Sequence, residues 1–292
     1  MSKLSVIIPS RNEIFLPNTV KDILAKAQGD IEVIAVLDGY WPNPLLEDND
    51  RLIVLHRGQS MGMRAAINGA AAIAKGKYIM KCDAHCMFAP GFDEVLKADC
   101  DDNWIVIPRR KRLDAENWCI QDVGKPDIDY HFLGCPMTNR DGYEMHGGIW
   151  PHRAVTRTDP KYDIDDTMSF QGSSWFMTAK HFNDTLHGMS EEGYGSFCQE
   201  PQEIGNKTWL SGGRIVTNKK TWYAHLHKGP RYGRGYFQDR RTLTRGHTWS
   251  GRHWMNNKEP GMKYKLEWLV EKFWPVPTWP EDWKSRIDEK VR

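Results

Sequence analysis

A chain of 292 residues, 40% of them apolar and with a formal net charge of +2, can form one large α/β domain, or a domain with an appendage, around a substantial core. No window approaches the ~20 apolar residues of a membrane span, and the apolar run after Met1-Ser2-Lys3 is too short for a signal-peptide core; the expectation is a soluble, cytoplasmic chain with no membrane partner. Charge is uneven: residues 1–226 hold 25 Lys and Arg against 30 Asp and Glu, residues 227–292 hold 15 against 8, and within 228–258 eight basic residues meet only Asp239, a block that favours an anionic partner.

In chain order, Leu4–Ile8 reads as a strand closed by Pro9-Ser10. Helical spacing follows over 15–27 (Phe15, Val20, Ile23, Leu24, Ala27). Ile31–Leu37 is a second buried strand ending in the Asp38-Gly39 turn, and Leu52–Leu55 is a third. An Ala-rich helix runs from Gly62 to Lys75. The strand Lys77–Lys81 then leads into Asp83-Ala84-His85. Strands alternating with helices predict right-handed crossovers and a mostly parallel sheet flanked by helices, with ligands beyond the carboxyl ends of the strands. Ser10–Glu13, Asp38-Gly39 and Asp83–His85 all fall at that edge.

Residues 109–166 show no clean periodicity and read as long loops and short strands. Order returns at Met168–Thr178, a helix near 179–187, a helix at Glu200–Leu210 and a strand around Thr221–His225. From His227 the chain is basic, aromatic and broken by Gly and Pro, with a short amphipathic helix at 262–274. The Trp residues there (Trp268, Trp274, Trp279, Trp283) read as packing rather than as a sugar platform. The six cysteines are irregularly spaced and read as reduced; Cys82 and Cys86 flank an Asp and a His, but with no C-x-x-C pair they fit buried packing better than a zinc site.

The strongest chemical signal is Asp83-x-His85 at a strand end, where a carboxylate and an imidazole two residues apart can face one divalent ion, Mn²⁺ or Mg²⁺. The order Val6-Ile7-Ile8-Pro9-Ser10-Arg11-Asn12-Glu13, Asp38-Gly39, the helix of Arg64, then Asp83-x-His85 resembles the donor half of GT-A glycosyltransferases. It is similar to family 2 enzymes, and more closely to polypeptide N-acetylgalactosaminyltransferases. The resemblance continues through Gly172-Ser173-Ser174-Trp175-Phe176, the Glu200-Pro201-Gln202-Glu203 helix and His225, spanning about residues 4–232.

The resemblance implies a GT-A, Rossmann-like catalytic domain over 1–226 (nucleotide half 1–108, acceptor and sugar half 109–226). Residues 227–292 would form a lid and a basic, Trp-rich extension. It implies a UDP-sugar co-substrate and a metal held by Asp83, His85 and His225. Pro9, Ser10, Arg11 and Glu13 would border the donor, Asp38 would take the uracil N3–H, and Arg64 would support the metal loop or phosphates. Ser173 and Trp175 would line the sugar, while Glu200 and Glu203 would shape the acceptor side. Lys228–Tyr236 would be a lid, hinged at Gly229, Gly233 and Gly235, whose Arg231 and Tyr232 cover the diphosphate. Ser173-Ser174 and Cys198-Gln199 replace the glycine pairs of that group, so the sugar does not carry over. The group's lectin domain and membrane anchor are missing from the sequence, which points to a bacterial or viral enzyme.

Glu200 is the candidate base for an inverting reaction; the resemblance tilts toward retention. For the acceptor, Arg231, Arg234, Arg240, Arg241, Arg245 and Arg252 interleave with Tyr232, Tyr236, Phe237, Trp249 and Trp254, a pattern suited to nucleic acid. A hydroxymethylated base of phage DNA is therefore one expected acceptor, with a cell-surface glycan or a protein as the alternative. Two other classes stay open: a non-catalytic nucleic-acid- or sugar-binding protein on a transferase fold, and a metal-dependent nucleotidyltransferase.

Overall fold

The computed structural model describes residues 2–139 and 142–291. The first part alternates β1 (Leu4–Ser10), α1 (Leu16–Lys26), β2 (Ile31–Asp38), β3 (Leu52–Arg57), α2 (Met63–Ile73), β4 (Tyr78–Cys82), β5 (Cys86–Phe88) and α3 (Phe92–Ala98). Strands β1, β2 and β4 are buried nearly throughout, which explains why they read as continuous apolar runs rather than alternations.

The second part holds β6 (Trp104–Asp114), β7 (Cys119–Ile120), β8 (His131–Leu133), β9 (Gly147–Ile149), α4 (Pro151–Thr156), β10 (Ile164–Asp166) and β11 (Ser174–Thr178). It continues through α5 (Glu200–Leu210), β12 (Arg214–His225), α6 (Gly229–Tyr232), α7 (Arg240–Met255), α8 (Leu266–Phe273) and α9 (Trp283–Val291). Three sequence expectations need correction here. The stretch 104–114 is an eleven-residue strand whose second half, Pro108-Arg109-Arg110-Lys111-Arg112, is too charged to read as one. It is held by parallel pairing to β12, across a register shift between Asn218 and Trp222. The helix expected near 179–187 is a single π-helical turn, His181–Thr185. Residues 240–255, read as broken by glycine, form a sixteen-residue helix. There Asp239 caps the first turn through Arg241 and Thr242 N–H, and Gly246 and Gly251 pack against the backbone of Tyr194 and Tyr143.

Among the described residues the main sheet has the order β10-β12-β6-β11-β4-β1-β2-β3, with β5 on β12 and β7 on β6. The part of the sheet built from the first half of the chain, β4-β1-β2-β3, is parallel as expected. β11 enters antiparallel between β4 and β6. The chain after His227 is not an independent lobe: Trp254, Leu266, Leu269, Val270, Phe273, Val276, Trp279 and Trp283 belong to the same core cluster as Ile7, Ile34 and Ile79. Each such apolar side chain contributes roughly 1.5–3 kcal/mol of burial. Trp279 Nε1 also donates to Leu133 O at 2.7 Å, so Trp279 and Trp283 are packing, whereas Trp274 is 41% exposed. No helix among the described residues is long and apolar enough to cross a membrane.

Candidate active site

The carboxyl ends of β1, β2 and β4 open into a cleft of about 770 Å³, within the range of small-molecule sites. Of the residues expected at the site, Pro9, Ser10, Arg11, Glu13, Asp38, Asp83, His85, Ser173, Glu200 and His225 line it. Two non-glycine residues in the left-handed region stand beside this set. Asn12 (φ 53) precedes Glu13, and Gln199 (φ 57) turns the chain so that Glu200 opens α5 at the cleft wall. Such backbone is costly and is kept where the surroundings hold it.

Asp83, His85 and His225 bring one ligand atom each within 4.8 Å of one another. Sequence neighbours supply two of them; the third arrives through β12, whose antiparallel pairing sets His225 against Cys86. His225 Nε2 lies 3.2 Å from Asp83 Oδ2, and the two imidazole rings are 4.8 Å apart. Burial drives the His225 pKa down to about 3 against the pull of Asp83, so the ring is neutral, the form that ligates a metal. Burial would raise the Asp83 carboxyl, but Lys81 and the two histidines outweigh it and keep Asp83 ionised. One hard oxygen and two imidazole nitrogens fit Mn²⁺. On the far side, His85 Nδ1 sits 3.2 Å from Glu13, whose carboxylate is also paired with Lys228. Burial of Glu13 is outweighed by His85 and Lys228, and its pKa is lowered.

Lys81 was missed in the sequence. It is a buried lysine inside Tyr-Ile-Met-Lys-Cys, and its ammonium lies 2.7 Å from Asp83 Oδ1 and 3.3 Å from Glu200 Oε2 while donating to the Gly172 carbonyl. The signal was present: a charge in a five-residue buried strand, two positions before a carboxylate, shares that carboxylate's face. Trp175 stands behind the cleft and donates to Glu200 Oε1 at 2.6 Å. Both oxygens of Glu200 are thus engaged. Burial raises its pKa, with Lys81 and Trp175 opposing.

Asp38 accepts from Ser60 Oγ (2.6 Å) and from the N–H groups of Met61 (2.8 Å) and Gly62 (2.9 Å), tying the loop before α2 to the cleft floor. Gly39 makes this turn feasible: it has φ +82, and a Cβ there would sit 2.7 Å from Ser60 N.

Besides Trp175, which was expected to line the sugar, four more expected residues do not line the cleft. Arg64 and Glu203 are fully buried and ion-paired to each other. Arg64 also donates to Ser190 O (2.8 Å), while Glu203 accepts from Lys207 Nζ (2.8 Å) and Ser190 N (2.9 Å). They lock α2, α5 and the 190–198 loop together and do not line the cleft. Arg231 and Tyr232 both bond Glu116 on the exposed side of the β6–β7 turn, so they do not cover the cleft in this conformation. The nearby chain enters it instead through Lys228, Arg234 and Tyr236, with Arg11 4.6 Å over the Tyr236 ring and Asn12 Nδ2 2.6 Å from Gly235 O. Cys82 and Cys86 are buried, with thiols pushed up by desolvation, and belong to the core.

Mixed α/β architecture with a metal-type triad at the strand ends defines the GT-A class, and solved structures agree. A crystal structure of GalNAc-T7 with UDP, GalNAc and Mn²⁺ matches with a TM-score of 0.69 at 16% identity, over 94% of this chain and 56% of its own. One of S. aureus TarS 1–349 in complex with UDP-GlcNAc gives 0.51 at 14% identity, over 82% of this chain and 63% of its own. The family model for glycosyl transferase family 2 matches residues 5–159, more than half of the chain, and the protein belongs to that family. A Drosophila melanogaster protein described as polypeptide N-acetylgalactosaminyltransferase 13 is 24% identical over 241 residues. That alignment takes in 73% of this chain, which spans 40% of the relative's length.

Proposed function

We propose that the protein transfers a sugar from a UDP-sugar to an acceptor hydroxyl with the help of Mn²⁺. The observation that carries this is the Asp83, His85 and His225 cluster at the strand-end cleft of a family 2 domain. The complexes of GalNAc-T7 with UDP and Mn²⁺ and of TarS with UDP-GlcNAc support the donor class. A bound Mn²⁺ would neutralise charge developing on the leaving diphosphate.

The chain's own groups supply the rest. Lys228 and Arg234 line the cleft and would add positive charge toward the phosphates. Asp38 Oδ1, which accepts from Met61 N–H and lies 3.7 Å from Arg57 Nη1, would take a uracil N3–H. Lys81 holds Asp83 Oδ1, so Oδ2 is the oxygen turned to the histidines. Glu13 and Lys228 would couple the lid to His85.

Retention is the favoured outcome, because the lining carboxylates are engaged: Glu200 by Lys81 and Trp175, Glu13 by His85 and Lys228, Asp38 by Ser60, Met61 and Gly62, Asp83 by Lys81 and His225, Asp239 by the α7 N-terminus. None is left as a free base for inversion. For the acceptor we infer a hydroxymethylated base of DNA, in the cytoplasm of a bacterial or infected cell, where UDP-sugars and DNA coexist. The basic block of 228–258 favours it over a neutral glycan.

Purified protein incubated with UDP- and GDP-sugars in Mn²⁺ or EDTA tests this reading. Mn²⁺-dependent UDP release, stimulated by hydroxymethylcytosine DNA, is expected. Pyrophosphate release would instead indicate a nucleotidyltransferase. Release from no donor, with Asp83→Ala behaving as the parent, would refute the site. Anomeric NMR of the fresh product reads the stereochemistry, and a β-linkage from an α-linked donor would overturn retention.

A further inference from the structure

We propose that the outer face of α7 is the track along which a DNA acceptor strand reaches the cleft; this rests on the DNA-acceptor reading above. Three depressions meet end to end. The cleft shares Phe237, Gln238 and Asp239 with a second hollow of about 620 Å³, and that hollow shares Thr244 and Arg245 with a third of about 470 Å³. The two outer hollows are lined by Arg240, Arg241, Arg245, Arg252 and Lys258, all exposed.

Among the described residues no carboxylate lies within ion-pair distance of these five cations, although the exposed Arg231 and Arg286 elsewhere are paired with Glu116 and Asp282. The acids nearest them in sequence are already engaged: Asp239 caps α7 and feels the charge of Arg245, and Glu259 pairs with His253 and Lys207. Unpaired like charges on one helix face repel one another, so the row lowers its energy when an anion joins it.

Spacing favours a strand over a single anion. Arg241, Arg245 and Arg252 stand at i, i+4 and i+11, one face of the helix. The eleven steps from Arg241 to Arg252 rise ~16 Å, about five phosphates of one strand at ~3.4 Å each. Phe237, 85% exposed where the cleft meets the groove, offers a bare ring to a base turned out of the stack. Trp254, part of the patch expected from sequence, is buried in the core and takes no part. Trp249 lines the third hollow, stacked on His253 at 4.6 Å.

The test is fluorescence anisotropy with a short hydroxymethylcytosine oligonucleotide, comparing the parent with the triple variant Arg241→Glu, Arg245→Glu, Arg252→Glu. Thermal midpoint and Mn²⁺ binding by electron paramagnetic resonance serve as controls for folding. The variant is expected to lose at least tenfold in affinity, and its slope of log affinity against log salt to shrink by about 2–3. Phe237→Ala is expected to weaken binding by roughly 5–100-fold with little change in salt slope. Parent-like binding and slope in the folded triple variant would overturn the proposal, as would a parent that binds an anionic polysaccharide and no oligonucleotide. A parent that binds DNA through α7 yet releases no UDP would leave the track standing and sink the donor reading alone.

Discussion

Lys81 places its ammonium 2.7 Å from Asp83 Oδ1, two residues along the same strand end, and thereby divides the carboxylate between two tasks. One oxygen is held by the buried lysine. The other faces His225 at 3.2 Å and His85 at 3.9 Å. Because the same ammonium reaches Glu200, the metal-type ligand and Glu200 at the cleft wall share one counter-charge, buried between two carboxylates.

Removing that charge strands Glu200 in the interior. Lys81→Met is expected to cost about 3–5 kcal/mol of stability, the usual loss when one partner of a buried pair is deleted. Adding Glu200→Gln should return much of it, since the buried negative charge goes too. Urea denaturation reads both; a loss for Lys81→Met within about 0.5 kcal/mol would show the pair to be energetically idle.

Asp83→Ala and His225→Ala each remove a ligand atom from the triad. Mn²⁺ affinity, measured by electron paramagnetic resonance on the donor-free protein, is expected to fall by more than the roughly 10–100-fold that loss of an outer partner costs. UDP release should fall with it. Mn²⁺ affinity equal to the parent's in both variants would place the metal elsewhere.

Glu203→Gln tests a residue that sequence reasoning grouped with Glu200. It accepts from Arg64, Lys207 and Ser190 without reaching the cleft. The expected effect is a stability loss of about 3–5 kcal/mol with Mn²⁺ affinity unchanged. Loss of Mn²⁺ binding in a folded Glu203→Gln would restore it to the site.

Stability should also fall on mild acidification. Burial holds His131 down at about 3, with Arg110 adding to the effect, and holds His181 at about 4. In the unfolded chain both titrate near ~6.5. Between these values the unfolded state binds more protons, so stability rises with pH across the window and is lost as pH drops from ~6.5 toward 4, at up to ~1.4 kcal/mol per pH unit for each histidine. Urea midpoints from pH 7 to pH 5 read this slope, and His181→Gln should make it shallower. An unchanged midpoint over that range would mean that neither histidine is buried neutral.

The parallel first half of the chain was legible from local pattern. Continuous apolar runs such as Ile31–Asp38 announce strands buried on both faces, and the polar residues that follow them necessarily collect at one sheet edge. Asp83-x-His85 was legible for the same reason: two ligands two residues apart need no long-range contact to meet. What required the tertiary structure was every relation carried by distant pairing. β6 is charged along half its length and is a strand because β12 lies beside it. His225 joins His85 through the β5–β12 ladder. Glu200 and Glu203, three apart on α5, differ in role because one meets Lys81 at the cleft and the other meets Arg64 behind it. Local sequence sets which residues can bond, turn or bury; the pairs Arg64–Glu203 and Lys81–Glu200 depend on chain segments more than a hundred residues apart, and only the packed fold brings those together.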